Sequence, residues 1–506
     1  MKLMLAIDAG TTSIKAGLFT PSGTCIAIAR EEYRIDTPSV ERAELDPETY
    51  WQACASSVRQ VLAANTDVQN QVASIAVSSQ GETLICTDDD GKALRPAIIW
   101  LDNRATDQAA RLADKFSQVV YDLTGVPEII ATWPACKILW LKENEPEVFS
   151  RTKKYLLVQD YLIYRLTGVF STNGSVSCTS LYFDYIAHDW WDEMLSELTI
   201  TRAQLPTVIP TGEFIANLTN YASSELGLPN SVMVVGGGMD QCVGAIGAGN
   251  ILDGNFSETT GAALTIQVTL QTPDIDKQKI IQVYEHSIPG KYLLCPVCPT
   301  AGMAFKWFRD TFGEHEMDLE ESGIGDAYEH LTRLASSVPA GSDGLVMLPH
   351  LMGTYSSRPN SFARGSFTGF TLSHTRGHFV RSLLEGVAFL LKHNLDVIES
   401  TGLRVREIRS TGGGAKSELW NQIKADVNNV PVITLENDDT ALIGDAILAG
   451  VACGVYGSIE EGCQALVAIK SRLEPSQNVA VYQQAYQKYS SLDLTLDDYY
   501  TKNYQP

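Results

Sequence analysis

The chain has 506 residues, of which 44% are hydrophobic and 19% are charged. This length exceeds one ordinary hydrophobic core, so we expect two domains of roughly 250 residues. The 38 basic and 60 acidic residues leave a net charge of −22, which argues against partners such as nucleic acid or an anionic membrane.

The N-terminal apolar run is too short to act as a membrane segment. It spans residues 3–7 and is interrupted by Asp8, whereas a membrane helix takes roughly 18 apolar residues. We therefore expect neither a signal peptide nor a membrane span. The ten cysteines are scattered, which favours reduced thiols and a cytoplasmic location. Cys295 and Cys298 lack a second ligand pair at zinc-motif spacing, so we expect a structural role for them.

The first half of the sequence predicts an α/β unit that opens with antiparallel strands. Apolar segments bounded by turns predict strands over residues 2–8, 13–19, 24–31 and 72–80. The first of these is apolar on both faces, which indicates a central strand. A helix is predicted over residues 46–64, with Asp46 as its cap.

Near residue 250 this pattern restarts. Residues 231–235 predict a strand, and the turn and helix over 236–250 follow it. Residues 254–268 then place a turn rich in hydroxyl groups and glycine between two strands, as residues 5–19 do. Further helices are predicted over residues 378–400, 416–429 and 438–456. The last of these is rich in glycine and alanine, which allows its neighbours to approach closely.

The segment "DAGTTS" at residues 8–13 has the composition of a phosphate-binding turn. Its backbone N–H groups and the hydroxyl groups of Thr11, Thr12 and Ser13 can cradle phosphate oxygens, and Lys15 adds a cation. Asp8 would repel a bare phosphate, so Mg²⁺ would make the arrangement sensible. The segment lacks the Walker A spacing, and an ordinary hairpin with polar turn residues is the alternative.

Two further glycine clusters offer room for a ligand beside the main chain. In "GGGMDQ" at 236–241, Asp240 begins a helix, whose N-terminal dipole tends to keep a carboxylate ionised and able to accept a hydroxyl proton. Simple helix capping by Asp240 is the alternative. In "STGGGAKSELW" at 410–420, a nucleotide base or ribose could lie against the glycines. Neither cluster has the G-x-G-x-x-G spacing of a dinucleotide-binding fold.

Together these segments resemble the FGGY family of carbohydrate kinases over nearly the whole chain. "DAGTTS" and "SETTG" (257–261) look like the family's two phosphate loops, "GGGMDQ" like its catalytic-base segment and "STGGGAKSELW" like its adenosine loop. The other matching segments are "WLDNR" (100–104), "PACKILWLKEN" (134–144) and "ARGSFTGFTLSHTRGHFVRSLLEG" (363–386).

The resemblance implies an α/β fold of two actin-like, RNase H-like ATPase domains with the active site between them. The N-terminal domain would span residues 1–250 and the C-terminal domain residues 251–506. The cofactors implied are ATP and Mg²⁺, with Asp8 facing the metal. The ATP-binding residues implied are Thr11, Thr12, Ser13, Lys15, Thr260, Gly261, Gly302, Lys306, Gly413 and Gly414.

The same resemblance implies phosphorylation of a small sugar or polyol, with Asp240 as the general base. The substrate-binding residues implied are Gln80, Gly81, Glu82, Asp240 and Gln241. Glycerol-specific relatives carry arginine where this chain has Gly81, so we expect the missing side chain to leave room for a longer substrate. This feature, and residues 384–394, favour a pentulose such as D-xylulose.

Several alternatives stay open at this point. Another polyol or ketose, such as glycerol, a tetritol or ribulose, could be the substrate. An actin-like or chaperone-like ATPase without kinase activity would share the phosphate loops but lack the sugar loop. Trp133 could pack on an apolar face of the sugar or lie in the hydrophobic core. Asp102 and Arg104 could belong to the site or form a structural ion pair. Assembly as a homodimer is possible in this family, although no segment of the sequence marks an interface.

Overall fold

The computed structural model describes residues 1–64, 68–273, 276, 278–356 and 358–504. Its described residues form two main sheets, one in each half of the chain. The strands of the first sheet are β1 (Leu3–Ala9), β2 (Ser13–Phe19), β3 (Cys25–Glu32), β4 (Val72–Ser79), β5 (Phe214–Asn217) and β6 (Met233–Met239).

The first sheet has the order β5-β6-β4-β1-β2-β3. Strand β1 runs parallel to β4 and antiparallel to β2, and it lies inside the sheet, which confirms the central position predicted for it. The carboxyl ends of β1, β4 and β6 meet at one edge, because these three strands are parallel. Asp8, Gln80 and Asp240, which lie at or just beyond these ends, are thereby brought to the same edge.

The second sheet repeats this plan. Its strands are β7 (Phe256–Thr260), β8 (Leu264–Leu270), β9 (Val283–Glu285), β10 (Tyr292–Leu294), β11 (Val297–Cys298), β12 (Ile408–Thr411), β13 (Val432–Leu435) and β14 (Ile469–Leu473). The order is β9-β10-β8-β7-β12-β13-β14, with β11 also paired to β8. The hairpin β7–β8 corresponds to the hairpin β1–β2, as the sequence predicts.

Helices cover the sheets. Those that carry or support the site are α1 (Pro47–Ala63), α2 (Pro134–Asn144), α3 (Asp240–Gly247), α4 (Gly302–Phe312), α5 (Arg376–Ser400), α6 (Glu418–Asn428) and α7 (Thr440–Ala452). Asp46 caps α1 by accepting from the N–H of Glu48. The other α-helices are Thr106–Phe116, Val120–Thr124, Pro146–Arg151, Val158–Thr167, Gly174–Ser177, Asp192–Leu198, Asn220–Leu226, Glu314–Glu321, Ala327–Ser336, Ile459–Leu466 and Val479–Asn503.

Small sheets complete the structure. A three-stranded sheet contains Asp36–Ser39, Arg42–Leu45 and Ala97–Ile98. The two-stranded pairs are Ile85–Thr87 with Lys154–Leu156, Ser171–Thr172 with Thr207–Val208, Phe183–Asp184 with Asp189–Trp190, and Val346–Leu348 with Ser366–Thr368.

Helix α7 ties the two halves of the chain together. Its apolar residues share one buried cluster with Met4, Ala76 and Val235 of the first sheet and with Val243 of α3. This close packing agrees with the small residues predicted to let neighbours approach α7. A domain boundary between residues 250 and 251 stays a prediction.

One local expectation is wrong, and one predicted helix is confirmed with a later start. Residues 236–238 continue strand β6 rather than forming a turn, because they pair with the neighbouring strand β4. Helix α6 begins at Glu418 after a short 3₁₀ turn over Gly413–Lys416, with Ser417 as its cap. Within the described residues, none of the helices combines the length and apolar character needed to cross a bilayer.

Candidate active site

A cavity of about 800 Å³ lies in the second half of the chain. It brings together all six ATP-binding residues that the sequence predicted there, namely Thr260, Gly261, Gly302, Lys306, Gly413 and Gly414. Phe305 and Trp420, whose rings meet edge to face, supply an apolar wall. The combination of glycine backbone, apolar wall and a few polar groups is typical of a nucleotide-sized pocket.

The turn after β7 is supported by a buried ion pair that the sequence did not reveal. Lys424 and Glu258 are completely buried and 2.6 Å apart. Lys424 also donates to the hydroxyl of Thr260 at 2.9 Å, and that hydroxyl donates to Glu258. The hydroxyl of Thr260 is therefore already hydrogen-bonded within the protein.

Residue 414 must be glycine because the main chain there packs closely against Thr260. A Cβ atom on Gly414 would lie 2.6 Å from the Cβ of Thr260, which is shorter than carbon atoms tolerate. This contact brings the adenosine loop against the phosphate turn. The two predicted ATP-binding segments are thus packed on each other rather than merely near each other.

The first phosphate turn lies outside this cavity. Among the described residues that line the cavity, residues 8–15 contribute none. The turn is tight, since the N–H of Gly10 donates to the carbonyl of Ser13 at 3.0 Å. The indole N–H of Trp100 donates to the hydroxyl of Thr11 at 2.9 Å. Trp100 begins "WLDNR", so the motif pointed to the segment but not to this residue.

Lys15 and Asp8 lie side by side on neighbouring strands, in register on β2 and β1. Lys15 forms an ion pair with Asp439, just before α7. The pKa of Asp8 is raised to about 6, chiefly by burial; the charge of Lys15 lowers it and that of Asp439 raises it. Asp8 is thus a half-buried carboxylate whose charge is only partly compensated by the protein.

Asp240 is the first residue of α3, and Met239 occupies the cap position without a side-chain hydrogen bond. One carboxylate oxygen accepts from the N–H of Gln241 at 2.6 Å. The pKa of Asp240 is raised to about 7, chiefly by burial and also by the neighbouring charges of Asp8 and Glu82, while the hydrogen bond from Gln241 lowers it. Three predicted site residues therefore lie close enough to influence one another.

The expected protonation state of Asp240 is corrected by this result. The sequence predicted an exposed carboxylate kept ionised by the helix dipole. In the structure the side chain is half-buried beside two other acidic groups, and both effects favour the neutral form. A pKa near neutrality is nevertheless the range in which a carboxylate acts well as a general base.

The predicted sugar loop follows β4 and carries an unusual backbone. Glu82 has φ of 55°, a left-handed conformation that is uncommon for a residue other than glycine. The amide of Gln80 donates to the hydroxyl of Tyr50 at 3.0 Å, while its buried carbonyl oxygen has no partner in the protein.

The expected free space at Gly81 is wrong. A Cβ atom there would lie 2.6 Å from the side chain of Thr179, so Thr179 fills the position that the missing side chain vacates. The hydroxyl of Thr179 accepts from the N–H of Glu82 at 3.1 Å. Gly81 therefore allows the loop to pack on Thr179. The missing side chain does not leave room for a longer substrate.

Lys137 of α2 is hydrogen-bonded to the main chain of the predicted sugar loop. Its ammonium group is fully buried and donates to the main-chain carbonyls of Glu82 at 2.8 Å and Ile99 at 3.0 Å. Burial lowers the pKa of Lys137 and raises that of Glu82, while each charge partly offsets the effect on the other. The motif "PACKILW" contains Lys137, but its role depends on contacts that the motif does not reveal.

Gln241 is turned toward the second half of the chain. Its side-chain oxygen accepts from the hydroxyl of Thr265 at 3.0 Å and from the amide of Gln267 at 2.7 Å. Both partners lie on β8, next to the second phosphate turn. Gln241 thus joins the segment of Asp240 to the second sheet.

The two open alternatives near this site are resolved in favour of structural roles. Arg104 and Asp102 form a buried bidentate ion pair at 2.8 and 2.7 Å, which Glu44 joins at 2.6 Å. Trp133 is 5% exposed, and its indole N–H donates to the carbonyl of Glu128 at 3.0 Å.

One acidic neighbour was missed altogether. Asp445 of α7 is fully buried and accepts from the hydroxyl of Ser78 at 2.6 Å. Its pKa lies well above the usual value because of burial, and Asp8 raises it further. The residue sits within a run of glycine and alanine in the sequence, which gave no signal of its position beside Asp8.

The family models match in the order that this geometry suggests. Residues 3–247 match the N-terminal domain of the FGGY family of carbohydrate kinases, and residues 259–453 match its C-terminal domain. The chain belongs to the FGGY family of carbohydrate kinases. Enzymes of this family use ATP as the phosphate donor, and this FGGY kinase phosphorylates a sugar at the expense of ATP.

Individual relatives agree with this assignment. The chain is 33% identical to a xylulose kinase of Lactococcus lactis, over 96% of this chain and 95% of that protein. It is 30% identical to a gluconokinase of Bacillus subtilis, over 90% and 89% of the two chains. Among solved structures, a ligand-bound xylulose kinase from Lactobacillus acidophilus superposes with a TM-score of 0.90 at 26% identity, covering 99% of this chain and all of that chain. The two-domain FGGY fold is therefore shared over the full length.

Proposed function

We propose that this FGGY kinase transfers the terminal phosphoryl group of ATP to a hydroxyl of a pentulose such as D-xylulose. The observation that carries the proposal is the half-buried carboxylate of Asp240 at the edge where the predicted sugar loop and the first phosphate turn converge. Its pKa of about 7 suits proton removal from an alcohol during attack on phosphorus.

The nucleotide would enter the 800 Å³ cavity of the second half. Its base and ribose would lie near Gly413, Gly414 and Lys306, with the phosphates directed past the turn at Thr260 and Gly261. Residues Thr11, Thr12, Ser13 and Lys15 would hold the phosphates from the other half. For Lys15 this requires release from Asp439 or a shared contact. Closure of the two halves would then exclude water from the transfer.

Mg²⁺ fits the donor set that the chain offers. Asp8 presents a half-buried carboxylate whose charge is only partly compensated, and carboxylate oxygen is the protein ligand that Mg²⁺ prefers. The described residues include no group of three or more His, Cys, Asp or Glu side chains placed to hold a metal. Asp8 would therefore share the ion with nucleotide phosphates and water, and the bound ion would neutralise phosphate charge.

The sugar would be bound through its hydroxyl groups. The unpartnered carbonyl oxygen of Gln80 and the carboxylates of Glu82 and Asp240 are all acceptors. The xylulose kinase relative supports a pentulose. A gluconokinase relative of similar identity makes gluconate the second candidate, but its carboxylate would face Glu82, Asp240 and Asp8. Electrostatic repulsion therefore favours the neutral sugar.

The deciding experiment is an ADP-release assay coupled to NADH oxidation. D-Xylulose, D-ribulose, erythritol, D-fructose, glycerol and gluconate are compared at equal concentration with the purified chain. We expect the highest kcat/KM with D-xylulose. The Asp240→Asn variant should release no ADP with any of these substrates. Preference for gluconate would overturn the substrate, and ATP hydrolysis that no sugar stimulates would favour an actin-like or chaperone-like ATPase. A cytoplasmic location and a homodimer stay predictions.

A further inference from the structure

The main chain directly before Asp240 is held by two buried side chains from elsewhere in the first half. The N–H of Gly238 donates to Oε1 of Gln159 at 2.6 Å. The N–H of Met239 donates to Oγ of Ser175 at 3.0 Å. Both residues that lead into Asp240 thus depend on a side chain for a main-chain hydrogen bond.

These two side chains belong to one polar network. Gln159 lies in the helix Val158–Thr167, and Ser175 lies in the short helix Gly174–Ser177. Asn173 joins them, because its amide donates to Oε1 of Gln159 at 3.2 Å and its carbonyl oxygen accepts from the hydroxyl of Ser175 at 2.8 Å. None of the three side chains is more than 1% exposed. Buried networks of this kind make a structure rigid.

The orientation of the Gln159 amide follows from its donors. Its oxygen accepts from two N–H groups, one from Gly238 and one from Asn173, and exchanging oxygen for nitrogen would place donors against donors. Its nitrogen is buried and has no partner among the described residues, which costs stability. The amide therefore keeps its acceptor on Gly238 at the expense of its own donor.

Position 238 is glycine for a reason that belongs to the same network. Gly238 has φ of 113°, and a Cβ atom there would overlap the hydroxyl oxygens of Ser175 and Ser287. Ser287 comes from the second half of the chain, and its hydroxyl donates to that of Ser175 at 3.2 Å. The network thus extends across both halves at the point where the chain enters α3.

Gln159 is also connected to the predicted sugar loop, through its main chain. Its N–H donates to the hydroxyl of Ser79 at 3.1 Å, and that hydroxyl donates to the carbonyl of Gln80 at 2.8 Å. The same residue therefore contacts the end of β4 through its main chain and the end of β6 through its side chain. A substitution of the side chain affects only the contact with β6.

We propose that Gln159 and Ser175 are positioning residues for Asp240; this inference rests on the proposed role of Asp240 as the general base. A base must lie within hydrogen-bond reach of the proton that it removes, and a displacement of about 1 Å can slow a reaction about a hundredfold. Asp240 begins α3 without a side-chain cap on the preceding residue. Its location therefore depends on the course of Gly238 and Met239.

Ser175→Ala and Ser177→Ala form a matched pair that tests the proposal. Both remove a buried hydroxyl from the same short helix, but the hydroxyl of Ser177 is bonded to that of Thr172 at 3.1 Å and not to the segment before α3. Gln159→Met removes the second acceptor with little change in side-chain length. Steady-state kinetics use MgATP and the sugar that gives the highest kcat/KM in the ADP-release assay. Titration calorimetry with MgADP and thermal denaturation of the same proteins supply readouts besides activity.

We expect Ser175→Ala and Gln159→Met to lower kcat about tenfold. Both KM values and the Kd for MgADP should stay nearly unchanged, since the substitutions affect only the base. Ser177→Ala should keep the wild-type kcat, although its Tm should fall as far as that of Ser175→Ala because each loses one buried hydrogen bond. Equal losses of kcat in the two alanine variants, or wild-type kcat in both Ser175→Ala and Gln159→Met, would overturn the proposal.

Asp240→Asn, assayed in parallel, distinguishes this proposal from the proposed reaction. If Asp240→Asn is inactive while Ser175→Ala and Gln159→Met have the wild-type kcat, the positioning role is refuted and the base is retained. If Asp240→Asn keeps its kcat, the base is refuted and the positioning role is refuted with it.

Discussion

Lys137 donates to the main-chain carbonyl oxygen of Glu82 at 2.8 Å, beneath the loop proposed to hold the sugar. The same ammonium group reaches Ile99 at 3.0 Å, next to Trp100, which is hydrogen-bonded to Thr11 of the first phosphate turn. One buried cation thus fixes the strained backbone of the sugar loop and the segment beside the phosphate turn. We infer that Lys137 is a positioning residue.

Replacement of Lys137 by methionine tests this role. The change leaves buried carbonyl oxygens without their donor and should cost about 1–3 kcal/mol of unfolding free energy. We expect the KM for the sugar to rise about tenfold, with the KM for ATP nearly unchanged, because the adenosine cavity lies elsewhere. Steady-state kinetics give both constants. Lys142→Met on the same helix is the control, and equal changes in the two constants would contradict a positioning role.

The pH profile should follow the raised pKa of Asp240. The base must be ionised to accept a proton, and it is protonated below about pH 7. We expect kcat/KM to fall about tenfold for each unit of pH below 7 and to level off above it. Initial rates with saturating MgATP measure this profile. A rate that stays level through pH 7 would remove Asp240 from the proposed role.

Asp240 should also make stability depend on pH. Its pKa rises from 3.8 in the unfolded chain to about 7 in the fold, so the folded state holds the proton more tightly. The resulting destabilisation is absent below about pH 4, grows as pH rises, and is complete above about pH 7. Asp240→Asn should therefore raise Tm at pH 8 but not at pH 4. Thermal denaturation measures the difference, and exposed Asp36→Asn is the control.

The ion pair beneath the second phosphate turn offers a test of stability. Lys424→Met leaves Glu258 as an unpaired charge in a fully buried position, which should cost about 3–5 kcal/mol. Chemical denaturation of Lys424→Met and of the double variant Lys424→Met with Glu258→Gln measures this cost. We expect the double variant to recover most of the loss. A double variant as unstable as the single one would show that the loss does not come from the isolated charge.

A larger side chain at position 413 would fill the proposed adenosine cavity without displacing the residues around it. A Cβ atom there meets nothing closer than the carbonyl of Thr260 at 3.9 Å, so Gly413→Leu should fold normally. We expect the KM for ATP to rise at least tenfold while the KM for the sugar changes little. Nucleotide titration of the variant measures this effect. Unaltered ATP affinity would argue against adenosine binding in this cavity.

The motifs of the second half correctly predicted that six residues would lie together, because all six line one cavity; adenosine binding there stays a prediction. The sequence predicted that Asp240 begins a helix, which is confirmed, but it predicted the wrong protonation state; the role of Asp240 as a base stays a prediction. Helix position can be read from sequence, whereas the pKa depends on burial and on Asp8 and Glu82, which are distant along the chain. The prediction of free space at Gly81 was wrong for a related reason. The space beside Gly81 is filled by the side chain of Thr179, which is distant along the chain.

The sequence by itself determined the strands, the two hairpin turns and the order of the motifs, because apolar periodicity and turn composition are local properties. Only the tertiary structure decided which side chains meet at the edge of the first sheet. Lys137, Lys424 and Asp445 carry no distinctive local signal, yet each acquires its role through burial beside groups far away in the chain. Burial strengthens the electrostatic interactions of these charged groups, and burial depends on the packing of the whole folded chain.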